Sequence, residues 1–160
     1  MRKYIIMGPQ GSGKGTQAKM LAVDYDLVHI SVGDIFRWHV QNRTKLGTKV
    51  QRYMKEGRLV PDEMVADVVK TRLDIHDWRH GFVLDGFPRT VTQARALDKM
   101  VGDGTPIVVV NIEVPEETLV ERLTLRRICG ACGWNAVPGM TACAKCGGAL
   151  VQRRDDNTEV

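Results

Sequence analysis

The chain has 160 residues, of which 43% are apolar and 26% are charged, and its formal net charge is +4. This balance favours one globular domain with a hydrophobic core and a small insert, and it argues against disorder. The positive charge suits an anionic ligand, but it does not separate a nucleotide from a nucleic acid or a membrane surface. No stretch is apolar enough to span a bilayer or to form the core of a signal peptide, so a cytoplasmic protein without membrane partners is expected.

Strand and helix signals alternate along the chain. Apolar runs predict strands at 4–7, 27–30, 81–84 and 107–112. Pro61, followed by Asp62 and Glu63, is typical of a helix start, and the apolar stripe after it consists of Met64, Val65, Val68, Val69 and Leu73. A second helix start at Pro115 precedes Leu119, Val120 and Leu123, which we expect to face the core. The alternation predicts an α/β fold with a parallel sheet flanked by helices.

A glycine-rich loop follows the first predicted strand. Residues 8–16 read Gly-Pro-Gln-Gly-Ser-Gly-Lys-Gly-Thr. In such a loop backbone N–H groups turn towards an anion, the positive end of the next helix adds to the attraction, and Lys14 reaches the outer phosphates of a nucleotide. The strict P-loop pattern has Ser or Thr directly after the lysine, whereas this chain has Gly15 and then Thr16. A simple glycine-rich turn would leave Lys14 unexplained, so the loop predicts binding of a nucleoside triphosphate.

Two other segments belong to the same predicted site. Residues 36–60 are rich in Arg, Lys and Gln and are expected to form a mostly helical insert over it. The strand at 81–84 is followed by Asp85, at the place where a P-loop protein carries the acid that holds magnesium or its water shell. A helix cap is the alternative role for Asp85, but the P-loop favours the magnesium site.

The cysteines form two Cys-x-x-Cys pairs, which are separated by ten residues and consist of Cys129, Cys132, Cys143 and Cys146. In a reducing compartment this spacing indicates a tetrahedral sulfur site for zinc, with iron or buried free thiols as alternatives. Because protein atoms would fill every coordination position, the metal is expected to be structural and to stiffen a small zinc ribbon.

Three motifs together resemble those of the adenylate kinases, a family of nucleoside monophosphate kinases. They are residues 8–16, residues 30–37 (Ile-Ser-Val-Gly-Asp-Ile-Phe-Arg) and residues 85–90 (Asp-Gly-Phe-Pro-Arg-Thr), with Gln93 beyond. Some members carry a lid with four cysteines, as the spacing above also predicts. The resemblance implies a P-loop core at 1–128 with a monophosphate-binding insert at about 31–60, a zinc lid at 129–150, and a lid exit at 151–160 that begins an incomplete C-terminal core.

The resemblance also implies the reaction ATP + AMP = 2 ADP, with Mg²⁺ bound to ATP and held through Asp85. On the ATP side the implied residues are Gly11, Ser12, Gly13, Lys14, Gly15, Thr16, Arg122 and Arg126. On the AMP side they are Val32, Arg37, Arg58, Leu59, Val60, Gly86, Phe87, Pro88, Arg89, Gln93 and Arg153. In this set Arg37 and Arg89 bind the phosphate of AMP, and Gln93 recognises the adenine. The charges implied to act in catalysis are Lys14, Arg89, Arg126 and Arg153.

The chain departs from the family pattern in two ways. Val32 stands where the family has threonine, so a hydroxyl that helps to recognise adenine is replaced by a methyl group. The family also continues beyond the position of Val160, which leaves a non-catalytic nucleotide-binding fragment as an alternative. Family members are usually monomeric, and an uncovered core makes self-association an alternative here. A zinc ribbon that binds nucleic acid is a weaker alternative, because it leaves the acceptor motif unexplained.

Overall fold

The computed structural model describes residues 2–75, 80–102, 104, 106–153 and 156, so the predicted lid exit at 151–160 lies partly outside them. The chain divides into two compact units, Met1–Glu113 and Val114–Val160. Among the described residues, no helix combines the length and the apolar character needed to cross a membrane.

The first unit contains a parallel sheet of four strands in the order β2-β3-β1-β4. Its strands are β1 (Arg2–Met7), β2 (Val28–Ser31), β3 (Gly81–Asp85) and β4 (Val108–Asn111). The four predicted strands are therefore confirmed, with bounds that differ by at most two residues. The carboxyl ends of all four strands meet at one edge of the sheet, which is where open α/β sheets bind their ligands.

Helices connect these strands. They are α1 (Lys14–Asp24), α2 (Val32–Gln41), α3 (Lys45–Lys55), α4 (Asp62–Ile75) and α5 (Val91–Val101). Side-chain oxygens of Ser31, Thr44 and Thr90 cap α2, α3 and α5 by accepting a hydrogen bond from a backbone N–H of the first turn. The segment expected to be a helical insert consists largely of α2 and α3.

The core has two layers because successive strand residues point to opposite faces of the sheet. On one face Ile5, Phe82 and Leu84 belong to a cluster shared with α2, α3, α4 and α5. On the other face Ile6 and Val83 pack with Ala18 of α1. Every residue of β3 is buried, as is typical of a central strand in a parallel sheet. The predicted stripe of α4 is confirmed, with Val65, Val69 and Leu73 buried.

The second unit begins with α6 (Glu116–Leu125) and continues into the antiparallel pair β5 (Ile128–Cys129) and β6 (Leu150–Val151). The expectation that Val120 faces a core is wrong, because its side chain is 49% exposed. Leu119 and Leu123 are half-buried, and no residue of α6 is fully buried. An amphipathic helix buries its stripe only against a second apolar surface. Among the described residues of this unit, the only other helix or strand against which α6 could pack is the short pair β5–β6.

Candidate active site

The glycine-rich loop joins β1 to α1 in the predicted strand–loop–helix arrangement. Gly13 has a left-handed backbone (φ 94°) and forms the N-terminal boundary of α1, a conformation that an L side chain rarely adopts. The Lys14 ammonium donates a hydrogen bond to the carbonyl oxygen of Pro9 at 3.2 Å. The lysine is therefore folded back over the loop, at the positive end of the helix.

Asp85 ends β3 close to the start of α1. Its side chain is buried, and Oδ2 accepts a hydrogen bond from the Ser31 hydroxyl at 3.2 Å. A Cβ atom added to Gly15 would lie 3.2 Å from the same Oδ2. This close approach gives a physical reason for glycine where the strict pattern has Ser or Thr.

The second oxygen of Asp85 has no such partner. Oδ1 is buried and accepts no hydrogen bond from any described residue. A buried oxygen without a partner costs about 1–3 kcal/mol. This oxygen is therefore able to accept a hydrogen bond from a water molecule or from the water shell of a cation beside Asp85.

Two arginines follow the carboxyl ends of β2 and β3. Arg37 donates a hydrogen bond from Nη2 to Asp34 Oδ1 at 2.6 Å, and Arg89 donates one from Nε to the carbonyl oxygen of Gly86 at 3.1 Å. Burial lowers the pKa of Arg89, the charge of Asp85 raises it, and the charge of Arg37 lowers it. The two guanidinium groups are therefore near enough to repel each other, which an anion between them would relieve.

Asp34 holds Arg37 in place. Burial alone would raise the pKa of the Asp34 carboxyl, but the charge and hydrogen bond of Arg37 outweigh burial, so this pKa lies below its ordinary value. The carboxylate is therefore the favoured form of Asp34, and Arg37 has an internal counter-ion.

Asp62 is a residue whose role the sequence analysis missed. Its carboxylate accepts hydrogen bonds from Thr90 Oγ1 and from Gln93 Nε2, both at 2.7 Å. The Gln93 Oε1 atom in turn accepts a hydrogen bond from the backbone N–H of Arg89 at 2.8 Å. This network fixes the backbone of Arg89 to the start of α4. The sequence signal was the pair Pro61–Asp62, which was interpreted only as a helix start.

Apart from Arg153, the other residues predicted on the acceptor side also lie in the first unit. Val32, Val60 and Phe87 are buried in the larger hydrophobic cluster. Leu59 is 51% exposed. Arg58 pairs with Glu56 at 3.0 Å, and its guanidinium carbon lies 5.6 Å from the centre of the Tyr53 ring.

The arginines predicted to serve the donor and the lid lie in the second unit. Arg126 makes a two-pronged contact with Asp156, with Nε 2.8 Å from Oδ2 and Nη2 against Oδ1. The Asp156 side chain is fully buried, and its backbone N–H donates to the carbonyl oxygen of Arg153 at 3.2 Å. Arg126 is thus held in a fixed orientation, while Arg122 is exposed on α6.

The four cysteines converge, as their spacing predicted. All four Sγ atoms lie within 4.8 Å of one another, with Cys129 and Cys146 at 3.4 Å and Cys132 and Cys143 at 3.6 Å. A tetrahedral zinc site with bonds of about 2.3 Å places its sulfurs about 3.8 Å apart, so this geometry is compatible with zinc.

The thiols influence one another's ionisation. The backbone N–H of Cys132 is the main cause that lowers the pKa of Cys129 to about 6. A backbone N–H of Gly148 lowers the pKa of Cys146, but the neighbouring thiols outweigh it and raise the value to about 12. Four thiolates at this separation require a cation between them, because like charges disfavour ionisation.

Comparisons with known proteins agree with this geometry. The sequence model of the family described as "Adenylate kinase" matches residues 6–160. The chain is 48% identical to the adenylate kinase of Carboxydothermus hydrogenoformans, over 98% of this chain and 77% of that protein. It is 47% identical to the adenylate kinase of Clostridium tetani, over 97% of this chain and 76% of that one. For the adenylate kinase of Desulfitobacterium hafniense the identity is 50%, over 98% and 76% of the two chains.

Proposed function

The chain belongs to the adenylate kinase family. We propose a role for each of its site residues in the reversible transfer of the terminal phosphoryl group of ATP to AMP. The acceptor is an ionised phosphate oxygen, so the reaction needs no general base to create a nucleophile. The enzyme must instead align two nucleotides, exclude water and neutralise the charge of the moving group.

Lys14 and the loop at 11–16 hold the phosphates of ATP. The Lys14 ammonium exchanges its hydrogen bond to the Pro9 carbonyl oxygen for the outer phosphates. This exchange is favourable because a hydrogen bond between charged groups is about twice as strong as one to a neutral carbonyl. The start of α1 adds its positive end to the same anion.

Arg37 and Arg89 bind the phosphate of AMP. The observation that carries this proposal is that both guanidinium groups are held just beyond the carboxyl ends of neighbouring strands, Arg89 on the Gly86 carbonyl oxygen after β3 and Arg37 on Asp34 after β2. Planar guanidinium groups hold several phosphate oxygens at fixed angles, whereas a lysine supplies a point charge. A dianion between the arginines relieves their repulsion and competes with Asp34 for Arg37.

Asp85 is the residue that would hold Mg²⁺ through its water shell. Its buried Oδ1, which no described donor contacts, supports this role. The bound cation supplies positive charge to the phosphate oxygens of ATP. Ser31 orients the carboxylate by donating to Oδ2.

Gln93 forms hydrogen bonds within the protein and is also proposed to bind the adenine of AMP. A primary amide has two N–H groups and two acceptor lone pairs, and the hydrogen bonds to Asp62 and from Arg89 use one of each. The remaining N–H and lone pair match the donor–acceptor edge of adenine. Val32 lines the same pocket without the hydroxyl of the family pattern.

The four-cysteine cluster holds zinc and stiffens the lid at 129–150. The convergence of four sulfur atoms supports this role. The second unit also carries Arg126 and Arg153, whose positive charges are suited to the oxygens of the transferred phosphoryl group. Arg122 contributes on the ATP side.

The test is the Arg89→Ala substitution in the 160-residue chain, with Arg95→Ala on the exposed side of α5 as its matched control. We expect Arg89→Ala to lower kcat/KM for AMP by about a hundredfold, the usual loss for one charge-stabilising contact. Rates of ADP formation at varied AMP and saturating MgATP measure this change. Equal losses in the two variants would refute the role of Arg89.

A further inference from the structure

A cavity of about 620 Å³ lies in the first unit, between α2 and α3 on one side and α4 on the other. Its apolar wall is formed by Ile35, Leu46, Met64, Val68 and Ile75. This volume falls within the range of about 300–1,000 Å³ that is typical of sites for small molecules.

Positive charge surrounds this wall. Lys45 and Lys49 line the cavity from α3, and Arg72 lines it from α4. None of these three cations forms an ion pair or a side-chain hydrogen bond with a described residue. Asp67 is the acidic residue of the lining, so the lining carries a net charge of +2 with His39 neutral.

The two lysines stand four residues apart on α3, so their ammonium groups project from the same face of the helix. Like charges at this spacing destabilise a helix by about 0.2–0.5 kcal/mol unless an anion lies between them. The charges of the cavity are thus arranged for a ligand that carries negative charge.

The polar groups of the lining are few. His39 already shares a hydrogen bond between Nδ1 and the Thr44 hydroxyl at 2.8 Å. Beyond it and the charged side chains, the described residues of the lining offer only the hydroxyl of Thr71. A ribose or a base would therefore find few partners, whereas an aromatic or aliphatic body would fit the apolar wall.

This cavity is separate from the acceptor pocket, because none of the acceptor residues named above lines it. It is nevertheless linked to one of the acceptor residues through α2. Ile35 and Arg72 also line a second cavity of about 230 Å³, whose other walls include Ser31 and Asp34. Asp34 is the ion-pair partner of Arg37. The helix α2 therefore contains both Ile35, which lines the large cavity, and Arg37, which is proposed to bind AMP.

We propose that the cavity between α3 and α4 binds a small amphipathic organic anion, with its apolar body against Ile35, Met64 and Val68 and its acid group at Lys45 and Lys49. The bound anion fixes α2 and α3 against α4, and it thereby changes the affinity of the acceptor site for AMP. This second site is independent of the roles proposed for Lys14 and Asp85.

Titration calorimetry with 2-naphthalenesulfonate tests the site in the full chain, with 2-naphthalenemethanol as a neutral probe of similar shape. We expect saturable binding of the sulfonate, and binding of the neutral probe weaker by about tenfold or more. The double variant Lys45→Ala/Lys49→Ala should weaken sulfonate binding by a similar factor. The control Lys70→Ala/Lys99→Ala removes two exposed lysines outside the lining and should leave it unchanged.

Arg89→Ala separates this site from the acceptor pocket, since it should not change the sulfonate affinity. Absence of saturable binding, equal losses in the two lysine pairs, or a loss in Arg89→Ala would each overturn the proposed site.

The linkage between the two sites is tested by the dissociation constant of AMP with and without saturating sulfonate. We expect a change of about fivefold or more, with AMP changing the sulfonate affinity by the same factor. An unchanged AMP affinity would overturn the linkage.

Discussion

Replacing Gly15 by alanine tests whether the close approach to Asp85 explains the glycine after Lys14. The new Cβ would lie 3.2 Å from Asp85 Oδ2, which requires a shift of a few tenths of an ångström. The hydrogen bond from Ser31 to this oxygen is already 3.2 Å long, so the shift would weaken it. Losing such a bond costs about 0.5–1.5 kcal/mol.

The same substitution has an opposing effect on the helix. Alanine is preferred over glycine within a helix by about 0.5–1 kcal/mol. The two terms nearly cancel, so we expect the free energy of unfolding to change by less than about 1 kcal/mol. Activity should respond more strongly, because a misplacement of 1 Å can cost a hundredfold in rate and a smaller shift of Asp85 should cost about tenfold in kcat.

Urea unfolding and rates of ADP formation at varied MgATP measure the two effects on the same variant. Ser31→Ala and the double variant complete a cycle, in which the loss in kcat should be less than additive because both changes displace Asp85. A Gly15→Ala protein with full kcat and a stability gain of about 1 kcal/mol would refute this explanation of Gly15.

Three further predictions follow from other parts of the molecule. Cys146→Ser should reduce bound zinc, measured by elemental analysis of dialysed protein, to well below that of the unsubstituted chain; equal zinc contents would contradict the four-sulfur site. Val32→Thr should raise the ratio of kcat/KM for AMP to that for CMP or UMP, although the buried hydroxyl costs about 1–3 kcal/mol of stability unless it finds a partner; an unchanged ratio would exclude position 32 from base recognition. Burial lowers the pKa of His29 below its ordinary value of 6.5, although Asp85 and Asp34 oppose this shift. The unfolded chain therefore binds a proton at a higher pH than the folded chain, so the free energy of unfolding falls between about pH 7.5 and 5.5, and His29→Gln should make this fall smaller. The same fall in both proteins would contradict a half-buried imidazole that is neutral in the folded chain.

Local patterns with a single physical solution were predictable from the sequence. The run from Tyr4 to Met7 followed by Gly8 and Lys14 specifies a strand, a phosphate loop and a helix, since few other folds need this order. The cysteine spacing likewise predicted the sulfur cluster, because each Cys-x-x-Cys pair brings two thiols to one point.

Features that depend on contacts between distant parts of the chain could not be predicted from the sequence. The stripe at Leu119 and Val120 has a helical period, but periodicity does not say whether a second surface covers it. Asp62 was missed because its contacts to Thr90 and Gln93 join residues about 30 positions apart in the chain. The role of Gly15 depends on its distance from Asp85, which only the packed sheet defines.

The most direct test of the central claim is the initial rate of ADP formation by the 160-residue chain with MgATP and AMP, compared with CMP, UMP and GMP as acceptors. Phosphoryl transfer selective for AMP, and lost in an Arg37→Ala/Arg89→Ala variant that still folds and binds ATP, is the predicted result. Transfer that persists unchanged in this variant would contradict the proposal that Arg37 and Arg89 hold the acceptor phosphate.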